Sequence, residues 1–476
     1  STYGPRAMTL TFAVRRREPV LIGPASPTPR ETKRLSDVDD QGELRSQVRG
    51  IFFYRGSAMA RSDDDPGDIF RRALSDALVH YYPLAGRLRE VEDRKLVVDC
   101  TGQGVTFVEA DADVRLADLE ADGPGLVPPF PCIEELGFEV DGSSGVLNSP
   151  LVLIQVFLFL ILPACSIGEL LDALFLWMDP QVTRLLCGGF TVWHRFNHTM
   201  CDATGIIQFM SAVAELARGL PAPTVAPAWS RESLDARRPP TPSFPHREYE
   251  AAVPRALPPT PTDADMVRRS FVFGPSEVAT LKKLCLPPHL RDRATSFEVL
   301  AAVLWRARTA ALGTLRPDED ARLITVVSVR RHSRTLGLPQ GYYGFSCAYA
   351  GVVMAAGTLL SSPMADVVER VREAKASVTP EYVRSAADHL VLRGRPPLAR
   401  ANMFLLSDLR HVGFHRVDFG WGEPVYAGPS HVKVGNAFFV AVKNSDGEDA
   451  VAVPVALPRM AMDRFAAEIH SVLVGK

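Results

Sequence analysis

Apolar residues recur at helical spacing in two stretches. Between Asp68 and Tyr81, the positions Ile69, Phe70, Leu74, Ala77 and Leu78 share one face, and Tyr82-Pro83-Leu84-Ala85-Gly86-Arg87 stops the pattern, because Pro and Gly punctuate helices. From Ser296 to Leu312 the residues Phe297, Leu300, Val303 and Leu304 repeat in the same way, with Thr295 or Ser296 placed to cap. Runs of β-formers at Lys95 to Cys100, Phe190 to Phe196 and Leu323 to Val329 predict strands. Helices and strands thus mix on both sides of 220–263, where eleven prolines from Pro221 to Pro261 interrupt regular structure. The pattern predicts two α/β domains, 8–219 and 264–476, joined by a proline-rich crossover at 220–263.

Length and composition agree with that picture. A chain of 476 residues buries two sizeable cores, and 46% hydrophobic with 23% charged residues is the balance of a folded globular protein. Lys and Arg number 53 against 55 Asp and Glu, which excludes the basic excess of a general nucleic-acid binder. Seven scattered cysteines form no CxxC pair, so a zinc ribbon or disulfide framework is not expected and a reducing cytoplasm is. The short apolar stretch from Thr9 to Val14 precedes its arginines rather than following them, unlike a signal peptide. Leu151 to Leu162 is apolar except for Gln155 but breaks at Pro163, short of the ~18 residues a membrane-spanning helix needs.

Candidate chemistry concentrates in Gly188 to Gly205. The strand pattern ends at Asn197, just before His198, and a histidine delivered at a strand end into a turn is well placed to face a cleft. A neutral imidazole accepts a proton near neutral pH. Asp202 then either orients that ring or turns away to pair with an arginine and fix the turn. A purely structural turn and a metal site are the competing readings, since His194, His198 and Asp202 recur every four residues and would share one helical face. The extended pattern through Phe196, and Arg195 in place of a glutamate, count against a metal. Cys201 reads as a small filler rather than a nucleophile. No Gly-x-Ser-x-Gly elbow, dinucleotide fingerprint or Walker loop occurs. Asp418-Phe419-Gly420-Trp421-Gly422 reads as a tight turn in which the indole plugs a gap.

Together, His198-Thr199-Met200-Cys201-Asp202-Ala203-Thr204-Gly205 and Asp418-Phe419-Gly420-Trp421-Gly422 resemble the paired motifs of the BAHD family of plant acyl-CoA-dependent acyltransferases. Tyr81 to Arg87, Val98 to Gly102, Thr295 to Leu300 and Tyr342-Tyr343-Gly344 add similar context across nearly the whole chain. The resemblance implies two similar mixed-sheet domains, as in chloramphenicol acetyltransferase, with a channel between them. It implies acyl-CoA as co-substrate, no permanently bound cofactor, no metal, and a monomer. His198 would take the proton of an acceptor hydroxyl. Asp202 would pair with Arg330, and Asp418, Gly420, Trp421 and Gly422 would shape the domain junction. Ser407 would donate to the oxyanion. Transfer of an aromatic or short acyl group, benzoyl first, to a small plant alcohol is the implied reaction. A hydroxycinnamoyl transfer to a monolignol and a catalytically impaired CoA-binding paralogue are the alternatives.

The sequence departs from the family pattern at Trp193, Phe345-Ser346 and Leu409, each expected to reshape the acceptor pocket. The larger departure is the 26-residue stretch from Val156 to Gln181. Removing it joins Gln155 to Val182 and restores a family-like strand. Valine codons begin GT and CAG encodes glutamine, so 156–181 has the borders of a translated intron, the alternative being a lineage-specific loop. An insert at mid-strand is expected to loop out or disrupt the ladder.

Overall fold

Strand-forming runs far apart in the sequence meet in two large mixed sheets and one small one. The structure, a computed structural model, describes residues 12–55, 66–120, 126–130, 133–137, 139–140, 145–160, 187–250, 265–444 and 446–475. In chain order the first strands are β1 (Val14–Arg16), β2 (Val20–Ile22), β3 (Thr32–Arg34), β4 (Gln47–Arg55), β5 (Arg87–Glu90) and β6 (Leu96–Asp99). Next come β7 (Val105–Ala112), β8 (Val152–Leu160), β9 (Cys187–Asn197), β10 (Met266–Phe273) and β11 (Asp320–Ser328). The last are β12 (Cys347–Ala355), β13 (Met403–Asp408), β14 (Tyr426–Pro429), β15 (Asn436–Lys443) and β16 (Asp449–Pro458).

The first sheet runs β1-β7-β8-β9-β4-β14, with β2 also on β7, and the second runs β10-β16-β15-β13-β11-β12. Strands β3, β6 and β5 form the small third sheet. In the first, β7 and β8 are parallel while β9 is antiparallel to both of its neighbours. Helices Pro66–His80 and Ala203–Ala217 share a core with one face of that sheet, through Phe70, Leu74, Phe209 and Val213. Its other face holds a second cluster that includes Ile51, Leu153, Phe157 and Trp193. Period-two alternation along β9 explains the split: Val192 and Phe196 go one way and Trp193 the other.

Helix Ser296–Leu312 has the bounds its sequence pattern predicts. Thr295 Oγ1 accepts from the Glu298 backbone at 3.3 Å while Glu298 Oε2 accepts from the Thr295 backbone at 2.9 Å, a reciprocal cap that satisfies two otherwise orphaned N–H groups. Gly313 in the left-handed region at φ 59° ends it. Residues Val299 to Trp305 are buried all round, in the core of the second sheet.

Two features depart from the sequence expectation. The halves are not self-contained, because β14 crosses over and pairs with β4, with Tyr426 opposite Phe53 and Pro429 opposite Gly50. Phe414, Val417, Phe419 and Ala427 likewise bury in the first half's core. The ladder is also not interrupted where the proposed insert begins. Val156 pairs with Val192 and Phe157 with Thr191, and an irregularity comes only between Leu158 and Leu160. Val156 to Leu160 are all apolar and so suit a strand with sheet neighbours on both sides. The remainder of 156–181 lies outside the described residues.

Candidate active site

The turn that carries His198 is tied down from several directions. Its backbone N–H donates to Ser46 O at 2.9 Å, and Asn197 Oδ1 accepts from the Thr199 backbone at 3.2 Å and its hydroxyl at 2.8 Å. Arg231, buried in the crossover segment, donates to Met200 O at 2.6 Å and pairs with the buried Asp39 at 2.7 Å. Asp39 also accepts from the Phe345 backbone at 2.9 Å. Gly205 is required where the next helix starts, because a Cβ there would lie 2.0 Å from Tyr343 O.

His198 Nδ1 lies 2.9 Å from Cys201 O. A carbonyl only accepts, so Nδ1 carries the proton and Nε2 is left with its lone pair. The ring is set edge-on between Phe196 and Phe345, with centroids at 5.8 and 5.6 Å. Burial lowers its pKa below the ordinary 6.5, against the pull of the Cys201 hydrogen bond and the Asp202 charge.

Asp202 does not bond to the His198 ring. Its carboxylate caps helix Ala203–Ala217 through Gly205 N at 2.9 Å and pairs with Arg330 at 2.6 and 2.9 Å. Ser346 N adds a donor at 3.1 Å and its hydroxyl another at 3.3 Å. Asp202 is buried, yet its pKa is lowered: burial acts to raise it and is outweighed by Arg330 and the backbone donors. Cys201 is buried, and burial pushes its thiol up, away from the thiolate a nucleophile needs. Among the described residues no group of His, Cys, Asp and Glu is arranged to hold a metal ion.

His198 opens onto a cavity of about 390 Å³ bounded by both halves of the chain. The first half contributes Val48, Gly50, His194 and Phe196, and the second Phe345, Leu405, Ser407, Leu409 and Phe414. Ser407 sits on β13 with Val326 and Phe438 on the flanking strands. Phe345 and Leu409 border the cavity as expected of pocket residues, and Ser346 instead bonds Asp202. Trp193 does not line it: at 2% exposure it packs on the opposite face of the sheet. It is the next residue, His194, that strand alternation turns toward the cavity.

Asp418, Gly420, Trp421 and Gly422 stand apart from the cavity wall. Asp418 accepts from the backbones of Gly420 at 2.7 Å and Gly422 at 2.8 Å, which folds a turn whose glycines have φ of 110° and 95°. Its own carbonyl accepts from Arg218 at the end of helix Ala203–Ala217. Phe419 packs on Phe70 at 4.5 Å, and Trp421 lies stacked on Phe70 and edge-on to Phe190. The motif is therefore a clasp of the second half upon the first.

The sequence reading missed Arg231 and Asp39, which lie in segments without periodicity and meet only in the fold. It weighed His194 only as a metal ligand. None of the described helices is long and apolar enough to cross a membrane.

Comparison with known proteins places this arrangement. The model of the Transferase family matches residues 12–160 and 162–472. Benzyl alcohol O-benzoyltransferase of Petunia hybrida is 46% identical over 98% of this chain and 95% of its own length. (Z)-3-hexen-1-ol acetyltransferase of Arabidopsis thaliana is 43% identical over 98% and 96%. Among solved structures, vinorine synthase superposes with a TM-score of 0.67 at 19% identity, covering 97% of this chain and 98% of its own. F. sporotrichioides TRI101, solved with coenzyme A and T-2, gives 0.61 at 14% identity over 92% and 97%. Those two likenesses establish the two-sheet α/β fold, and the family match with the close relatives establishes that the chain belongs to the Transferase family, the BAHD acyltransferases.

Proposed function

We propose that the chain transfers an acyl group from coenzyme A to the hydroxyl of a small alcohol, with His198 as general base. The observation that carries the reading is the tautomer. With its proton on Nδ1 committed to Cys201 O, His198 offers Nε2 as an acceptor inside a cavity that both halves share. The lowered pKa keeps that nitrogen unprotonated at neutral pH. The relatives named for benzyl alcohol benzoylation and hexenol acetylation support this substrate class, and TRI101 was solved with coenzyme A bound.

In the proposed reaction the alcohol gives its proton to Nε2 as its oxygen attacks the thioester carbon. The Ser407 hydroxyl donates to the oxyanion that forms. Collapse of the tetrahedral species breaks the carbon–sulfur bond, forms the ester, and releases coenzyme A thiolate, which recovers the proton from the imidazolium. No covalent enzyme intermediate is needed. Asp202 and Arg330 hold the turn, and the clasp at Asp418 to Gly422 holds the two halves against each other. Benzoyl-CoA with benzyl alcohol is the first pair to test.

The experiment follows free thiol while purified protein is incubated with benzoyl- or acetyl-CoA and an alcohol. Alcohol-dependent release is expected, with kcat falling about 10²- to 10⁴-fold in His198→Ala, the usual worth of general-base assistance. Because the active form is the neutral ring, kcat/KM should rise with pH along a limb centred below 6.5. Undiminished release in the variant would reject His198 as base, and coenzyme A binding without turnover would identify an impaired paralogue.

A further inference from the structure

Three of the segments that hold His198 converge on one buried ion pair, Arg231 with Asp39. The first is the turn itself, whose Met200 O accepts from Arg231 Nη2 at 2.6 Å. The second carries Phe345: its backbone N–H donates to Asp39 Oδ1 at 2.9 Å, and its ring stands edge-on to the His198 imidazole. The third runs from Asp39 to Ser46, whose carbonyl accepts from the His198 N–H. Asp39 Oδ2 is fixed in turn by the backbone and hydroxyl of Ser36, at 2.9 and 2.6 Å. The guanidinium lies over the rings of Trp229 at 4.4 Å and Tyr343 at 5.2 Å. A Cβ on Gly344 would come within 2.6 Å of its Nη1. Burial acts against its charge, and Asp39 with the neighbouring tyrosines outweighs burial, so Arg231 stays protonated.

We propose that Arg231 is a positioning residue for the reaction: by gripping Met200 O and Asp39 together, it holds the Cys201 carbonyl against Nδ1 of His198 and so keeps Nε2 free to accept. The inference rests on the acyltransferase reading for its chemistry and not for its geometry. The carbonyl that Arg231 grips immediately precedes the one that sets the tautomer. The peptide between Met200 and Cys201 is planar, so fixing Met200 O leaves few dihedrals free to re-aim Cys201 O. Stability alone gives no reason for charge at this place, because apolar side chains of similar volume often hold a core as well as a buried ion pair does. What they lack is the planar fork of a guanidinium, which reaches a carbonyl and a carboxylate at once and at fixed angles. The proline-rich crossover, from which Arg231 comes, thereby becomes part of the support of the site.

The test joins Arg231→Met to Asp39→Asn, so that neither charge is left stranded in the interior, and sets this double variant beside wild type and Arg231→Lys. Each protein carries 15N in its histidine rings, the His198 signals being those absent from His198→Gln. Spectra are recorded at slightly alkaline pH, where the His198 ring is neutral, and kcat and KM are read by thiol release with benzoyl-CoA and benzyl alcohol. Wild type should show His198 as the Nδ1–H tautomer alone. In the double variant the signals should move toward a mixture of tautomers, with kcat down about 10²-fold, as a small misplacement of a catalytic group costs, and KM unchanged. Arg231→Lys keeps the charge beside Asp39 without the fork and should fall between the two; if the double variant does not fold, it carries the test alone. A folded variant that keeps the wild-type tautomer, or one that keeps the wild-type kcat, would overturn the inference. A tautomer shift in the variants, with no thiol release from any of the proteins, would uphold the hold of Arg231 on the ring while rejecting the transferase reading.

Discussion

Burial alone would push the Asp202 carboxyl upward, and Arg330 with the backbone donors reverses the sign. A carboxylate held below its unfolded value stabilises the folded state at pH values above that unfolded value, and the contribution disappears as pH falls through the folded pKa. Arg330→Ala is therefore expected to cost about 3–5 kcal/mol at neutral pH, because it strands a buried charge. The gap between variant and wild type should narrow on acidification below the ordinary carboxylate range, as chemical denaturation at a series of pH values would reveal. A variant as stable as wild type at neutral pH would show that the pair is dispensable. The motif pattern made His198 and Asp202 legible in sequence, since they lie within one turn, whereas Arg330 came only from the family resemblance. His194 was not legible as a cavity residue. The reading that singled out Trp193 lacked the phase of β9, and a shift of one position moves a side chain to the other face of a sheet.

At the scale of elements, legibility followed the strength of local signals. Helix Ser296–Leu312 has a capping box, a periodic apolar face and a terminal glycine, and its bounds emerge from sequence alone. The β8–β9 pair had no such punctuation, because Val156 to Leu160 and Val182 to Leu186 offer two mainly apolar continuations after Gln155. The first occupies the strand here. If 156–181 were removed, Val182 would follow Gln155 and the second would fall into the same positions. The connection between the residues at the places of Leu158 and Phe190 would then shorten to a short hairpin loop. Loop closure costs roughly 0.6 kcal/mol per doubling of length, so a gain of about 1.5 kcal/mol is expected from the two to three doublings removed. The shortened chain should unfold at a higher denaturant midpoint and keep the far-ultraviolet spectrum of the full chain. A shortened chain that is unfolded while the full one is folded would show that Val156 to Leu160 are the native strand.

For the molecule as a whole, the two halves exchange material, and neither the proline-rich crossover nor the apparent domain boundary hinted at it. Arg231 from the crossover reaches under the His198 turn, and β14 completes the first sheet. Between them, Phe419 is 1% exposed and packs on Phe70 and Tyr54, while Tyr54 Oη donates to Val417 O at 2.7 Å. Without these segments β4 would be an open edge and the face around Phe70 would lose its cover, so stability of the first half depends on the second. Cleaving this dependence requires one residue. Phe419→Ala should cost about 3–5 kcal/mol, as removal of a buried aromatic side chain does, although Phe419 does not line the cavity that His198 borders. Since both halves share the lost contact, calorimetry should record one transition shifted downward as a unit. Two separated transitions, with only one of them moved by the substitution, would mean that the halves fold independently and that the clasp merely rests on the surface of the first.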